Sequence, residues 1–225
     1  MEISTLNNFD FVRPNTAALY IFDGDGADSS ENNNDLIYGS PTYRLSRFGS
    51  YCAYFSGSKY LRSTYPSYTS LRLDDFSAHF WMKSTSSAFQ TIFSFEDYDS
   101  ILFGYQFGIW NYKIFLSEAN GWAIGDPNHQ GNSTNAVDGN WHWIVITRGS
   151  TYVRFYIDGL LDYQAARGAL GYNGYELACA GAWWYNNGGV AYDFFTGSLD
   201  QLHLQNIELS YATIRRMYAF QMGWI

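Results

Sequence analysis

The chain is short of charge. Only 15% of its 225 residues are charged, and 13 basic residues face 21 acidic ones for a net charge of −8. Its one adjacent basic pair is Arg215-Arg216. Nucleic-acid phosphates are tracked by clustered Lys and Arg, so nucleic-acid binding is excluded as a function class. No run of eighteen apolar residues occurs, which removes a membrane-spanning helix from the expectations. The opening residues MEISTLNNFDFVRPN have neither a basic start nor an apolar middle, so no signal peptide is read there. Cysteine is scarce as well. Cys52 and Cys179 sit in apolar, strand-like surroundings, and two buried free thiols are expected, with one disulfide as the alternative. Prolines number four, and the main polar run is residues 25–35. Nothing reads as a linker, so one domain is expected at residues 17–225, behind an N-terminal arm at 1–16.

Aromatic residues are abundant, at 20% of the chain with 20 Tyr, 17 Phe and 8 Trp. Such side chains suit the half-buried face of a pleated sheet. Alternation confirms the leaning. In Phe76-Ser-Ala-His-Phe-Trp-Met-Lys83, residues Phe76, Ala78, Phe80 and Met82 share one face. In Tyr152–Ile157, residues Val153, Phe155 and Ile157 do the same, and Asp158-Gly159 then supplies a hairpin turn. Further strands are predicted at 18–22, 51–56, 91–95, 101–109, 112–116, 142–148, 176–183 and 198–205. One helix is predicted over Tyr211–Phe220, capped by Ser210, with Ile214, Met217 and Tyr218 on one side. The fold class is therefore all-β, a sandwich or barrel with one short C-terminal helix.

The order of several short motifs resembles the laminin G-like branch of the concanavalin A-like lectin/glucanase sandwiches. The matching pieces are Leu19-Tyr-Ile-Phe-Asp-Gly24, Phe48-Gly49 with Phe55-Ser-Gly57, Phe76–Trp81, Asp138-Gly-Asn-Trp-His-Trp143, Phe155-Tyr-Ile-Asp-Gly159 and Phe195-Thr-Gly-Ser-Leu-Asp200. Together with Leu209-Ser210 before the helix, they extend over about residues 17–221. The resemblance implies an antiparallel two-sheet jelly-roll β-sandwich, in which Trp81 and Trp141 are packing residues. It leaves the function open, because the fold carries lectins, hydrolases, adhesion modules and virion proteins.

Hydrolysis by this fold needs paired carboxylates. The glutamates Glu2, Glu31, Glu96, Glu118, Glu176 and Glu208 are too dispersed for two to share a strand, and Asp97 and Asp99 have the wrong spacing. No Gly-x-Ser-x-Gly elbow is present, and the four histidines lack zinc spacing. No catalytic residue is assigned, and an enzyme is not expected. The oxygen-rich stretch from Asp23 to Asp35 fails the EF-hand pattern, with Ala27, Asp28 and Asn34 at its fifth, sixth and twelfth positions. The resemblance implies a structural Ca²⁺ held by Asp28 and Asp200, with Asp23 as a further candidate. The family's usual acidic residue after the late Asp is Gln201 here.

Sugars present apolar C–H faces that stack on rings, and hydroxyls that seek fixed amides and carboxylates. Rings and amides meet in Trp183-Trp-Tyr-Asn-Asn187 and in Trp110-Asn-Tyr112, and Trp122 opens another polar loop that carries the sequon Asn132-Ser133-Thr134. The candidate contacts for a glycan or partner are thus Trp183, Trp184, Tyr185, Asn186, Trp110, Tyr112 and Trp122. On an alternating strand Trp183 and Trp184 cannot both face the core. The expected function is a lectin-like, non-catalytic surface-recognition module for a cell-surface glycan. With no export signal read, it is expected on a bacteriophage virion, or in the cytoplasm until lysis, among other virion proteins. The alternatives are a structural virion protein whose tryptophan pair lies in a subunit contact, and a glycoside hydrolase or lyase of the same fold. Exposed strand edges and rings also fit a homo-oligomer.

Overall fold

The structure, a computed structural model, describes residues 15–64, 69–97, 103–120, 128–172, 176–185 and 190–224. The expected arm falls almost wholly outside the described residues. Strands appear in the order β1 (Thr16–Tyr20), β2 (Tyr38–Gly39), β3 (Thr42–Leu45), β4 (Tyr51–Ser56), β5 (Leu61–Arg62) and β6 (Phe76–Lys83). Next come β7 (Gln90–Asp97), β8 (Phe103–Trp110), β9 (Lys113–Asn120), β10 (His129–Gln130), β11 (His142–Arg148) and β12 (Tyr152–Ile157). The last are β13 (Leu160–Ala166), β14 (Glu176–Ala180), β15 (Trp183–Tyr185), β16 (Val190–Tyr192) and β17 (Thr196–Gln205), followed by α1 (Tyr211–Gln221).

Two antiparallel sheets form the sandwich. The eight-stranded sheet runs β13-β12-β11-β6-β17-β4-β3, with β1 also paired to β17. The seven-stranded sheet runs β10-β9-β8-β7-β14-β5-β2. Between them lies a core made by alternation: Phe76, Ala78, Phe80 and Met82 of β6 meet Phe93 and Phe95 of β7 and Tyr105 and Phe107 of β8. Phe80 stacks on Phe107 at 5.6 Å and Phe76 on Tyr105 at 5.0 Å. Burial of rings this large is the main driving force for closing the sheets on each other.

The outer faces differ. On the eight-stranded sheet, α1 covers Trp81, Trp143, Val145 and Tyr156 with Ile214 and Tyr218, and Trp141 is half-buried against the same cluster. The Ser210 hydroxyl caps α1 by accepting the Thr213 amide at 3.1 Å, as the sequence predicts. On the seven-stranded sheet, register aligns Ser94, Gln106 and Ser117 in one row, and all three are buried. Cys52 and Cys179 are both free and buried, on different sheets. Among the described residues no helix is long and apolar enough to cross a membrane.

One expected strand is corrected. Residues 176–183 do not run on continuously, because β14 ends at Ala180 and Gly181 takes φ +82°. A Cβ there would stand 2.2 Å from the Phe55 ring, so only glycine fits the bend. The Gly181 amide donates to Ile92 O and its carbonyl accepts from Phe195 N, which closes the base of a separate two-stranded sheet, β15-β16.

Candidate functional site

The β15-β16 hairpin divides the tryptophan pair. Across it Trp184 faces Ala191 and Trp183 faces Tyr192. Trp184 and Ala191 are each 8% exposed and pack on Leu177, Cys179 and Ala182, so this side holds the hairpin against the seven-stranded sheet. Tyr60 lies 4.9 Å from the Trp184 ring, and the Arg62 guanidinium stands 4.5 Å from the same ring. Trp183 and Tyr192 take the other side, with ring centroids 5.9 Å apart; Trp183 is partly exposed and Tyr192 is 46% exposed.

Two acidic groups stand beside these rings. Glu96 is 1% exposed on β7, where Leu177 of β14 is its cross-strand partner. Burial raises its carboxyl well above the usual range and nearby Asp193 adds to this; the Trp183 side chain beside it opposes the rise, although neither Glu96 oxygen has a hydrogen bond of good geometry. Asp193, at φ +50°, is also raised by burial, and its carbonyl accepts the Thr91 amide at 2.7 Å. Glu96 therefore lies sealed from solvent next to the Trp183 side chain. Sequence reasoning missed Tyr192, Glu96 and Asp193. Tyr192 becomes visible as the cross-strand partner of Trp183 once residues 183–185 are paired with 190–192. The Glu96 contact is tertiary and has no local signal.

The other candidates are scattered. Trp110 and Tyr112 flank the β8-β9 turn, where Asn111 and Tyr112 both have positive φ. Trp110 is half-buried edge-on to Phe89 at 6.2 Å, whereas Tyr112 is exposed. Asn186 and Trp122 lie outside the described residues, as does the side chain of Tyr185.

The three aspartates proposed for calcium have different neighbours. Asp28 Oδ1 accepts from the amides of Leu19 and Ser30, and Oδ2 from the Ser30 hydroxyl and the Asn34 amide. Its lone pairs are spent on holding the loop to β1. Asp200 is fully buried on β17 next to a bulge at Gln201, and neither of its oxygens has a hydrogen bond of good geometry. Burial raises its carboxyl to about 7, with Asp23 adding to the rise and Ser46 and the Gln201 amide opposing it. Asp23 is exposed and accepts the Tyr51 amide at 3.0 Å. Of the three, Asp28 has both carboxylate oxygens engaged by hydrogen bonds, and Asp200 has neither engaged. Among the described residues no group of three or more His, Cys, Asp or Glu side chains could hold a metal.

A search of curated protein sequences gives no match. Solved structures share the fold. Domain 4 of AbnA, a GH43 extracellular arabinanase from Geobacillus stearothermophilus in complex with arabinotriose, superposes with a TM-score of 0.61 at 16% identity, over 91% of this chain and 98% of that domain. The binding domain of Paraclostridial Mosquitocidal Protein 1 gives 0.69 at 14% identity, over 94% of this chain and 53% of the other. The binding domain of botulinum neurotoxin DC in complex with rat synaptotagmin II gives 0.68 at 15% identity, over 93% and 52%. The chain spans about half the length of these toxin binding domains. The family model of the concanavalin A-like lectin/glucanases superfamily matches residues 55–215, from near the end of β4 into α1, and the chain belongs to that superfamily.

Proposed function

We propose that the chain is a non-catalytic glycan-recognition module whose platform is the Trp183–Tyr192 ring pair. The observation that carries this reading is the geometry of the hairpin: one side is locked on the sheet through Trp184, and the other turns two partly exposed rings, Trp183 and Tyr192, towards solvent side by side. Anchored rings lose little freedom when a sugar face stacks on them. The arabinotriose held by the AbnA domain, and the binding-domain status of the toxin structures, support a binding role. Against hydrolysis stands the burial of Glu96, which leaves it no access to a glycosidic oxygen.

A glycan array of the whole chain tests the platform. Trp183→Ala and Tyr192→Ala are each expected to weaken binding at least tenfold, and unchanged binding in both would sink the reading. A Ca²⁺ held by Asp200 and Asp23 is proposed as a structural ion that neutralises the buried carboxylate. The proposed setting is a virion surface, and mass spectrometry of purified particles tests it.

A further inference from the structure

On the outer face of the eight-stranded sheet, three strands place a ring, a hydroxyl and a cation in one line. Ser198 of β17 is paired with Tyr54 of β4 on one side and with Lys83 of β6 on the other. Their neighbours Ala53, Phe55, Met82 and Leu199 enter the core, so these three side chains leave the opposite face. One strand further out, the Arg44 guanidinium lies over the Tyr54 ring, 3.3 Å from its centroid. Trp141, which precedes β11, forms part of the wall. The result is an open cleft of about 330 Å³.

The charge in this cleft runs against that of the protein. No Asp or Glu is among its lining residues, although the chain carries a net charge of −8. Arg44 and Lys83 are exposed, and among the described residues neither forms an ion pair. Arg72, Arg148, Arg154 and Arg167, in contrast, are all held by carboxylates. The acids on flanking positions are occupied or hidden. Asp138 accepts from Asn140 and pairs with His142, and Asp200 is buried in the next row.

We infer that this cleft binds a sugar ring bearing a carboxylate. Trp141 and Tyr54 line the cleft and supply aromatic surface for the C–H groups of the ring, with one face of Tyr54 already taken by Arg44. Arg44, already oriented by stacking on Tyr54, offers the planar fork that matches a carboxylate at two points, and Lys83 adds a second positive charge. The Ser198 hydroxyl lies between them. This site lies on a different sheet from the Trp183 platform and stands or falls independently of it.

Isothermal titration of the whole chain against trigalacturonate, a hyaluronan hexasaccharide and oligosialic acid tests the inference. Methyl-esterified trigalacturonate, sulfated dextran and polyglutamate serve as comparisons. At least one of the carboxylated sugars is expected to bind, more weakly as salt rises. Arg44→Gln and Lys83→Gln should each weaken it at least tenfold, with unchanged melting temperature, and Trp183→Ala should leave it unaffected. The inference is overturned if none of the three sugars binds, or if both variants bind like the parent chain. It is equally overturned if ester, sulfated dextran or polyglutamate binds as tightly as the carboxylated sugars.

Discussion

Trp183 and Trp184 are one step apart on a strand, and that step decides which ring a ligand can reach. The alternation was legible in the sequence; which ring went inwards was not, because it depends on Leu177 and Cys179 waiting beneath. The same limit applies to acids. Asp200 reads as a metal ligand through resemblance, yet its burial is what dominates its chemistry. A carboxyl raised to about 7 when folded, against 3.8 unfolded, binds its proton more tightly in the native state. Its ionisation therefore costs stability progressively as pH rises from about 4 to about 7, and the loss is complete above that. Asp200→Asn should be more stable than the parent chain by on the order of 3 kcal/mol at pH 8, with the gap closing towards pH 4 in urea titrations. Added Ca²⁺ at pH 8 should raise the parent's melting temperature and leave that of Asp200→Asn unchanged if the ion sits there. His203 works in the opposite sense. Burial lowers it to about 4, so its contribution is present above pH 6.5 and is lost as pH falls through 4. A buried ion pair gives the other residue-scale test. Arg148 and Glu118 are both sealed from solvent and bonded to each other, with His129 and the Gly168 amide completing Glu118. Despite burial, these partners lower the Glu118 carboxyl. Arg148→Met should cost about 3–5 kcal/mol in chemical denaturation by stranding Glu118, and adding Glu118→Leu should recover much of it.

Among the elements, α1 is the lid over the outer-face cluster of Trp81, Trp143, Val145 and Tyr156. It was the easiest to read, because a serine cap and an i, i+3, i+4 set stand out against alternating strands. Its only fully buried residue is Ile214, while Tyr218 stacks on Trp143 at 6.0 Å and Gln221 accepts from the Trp81 indole at 2.7 Å. Ile214→Ala should cost about 2–5 kcal/mol by leaving a cavity over Trp81, and Ser210→Ala about 1 kcal/mol, both measured by urea unfolding. Long alternating strands such as β6 and β12 were equally legible. The two-residue strands β2, β5 and β10 were not, since so short a run carries no period. The bend at Gly181 was hidden for another reason: glycine signals freedom, and only the Phe55 ring above it shows why freedom is needed. The burial of the row Ser94, Gln106 and Ser117 had no signal in the sequence, because alternation marks the two sides of a strand without saying what covers each. The cleft at Arg44 escaped because its members lie on four strands far apart in sequence.

At the scale of the molecule, the sandwich is tied together by β17, which bonds to β6 along one side and to β4 and β1 along the other. Its contacts join residue 16 to residue 205, so the native pairing is strongly non-local, which predicts slow folding for its size. The pairing of β1 with β17 also sets how the domain carries force. Thr16 and Gln205 sit at the same end of that ladder, so tension applied through both chain ends first peels α1 away and then opens β1 from β17 one hydrogen bond at a time. A pull between the N-terminal side and the aromatic hairpin takes another route, through the base at Gly181 and Phe195 into a strand gripped along both edges. The domain is thus expected to be soft when stretched between its own ends and stiff when stretched between its N-terminal side and the β15-β16 hairpin.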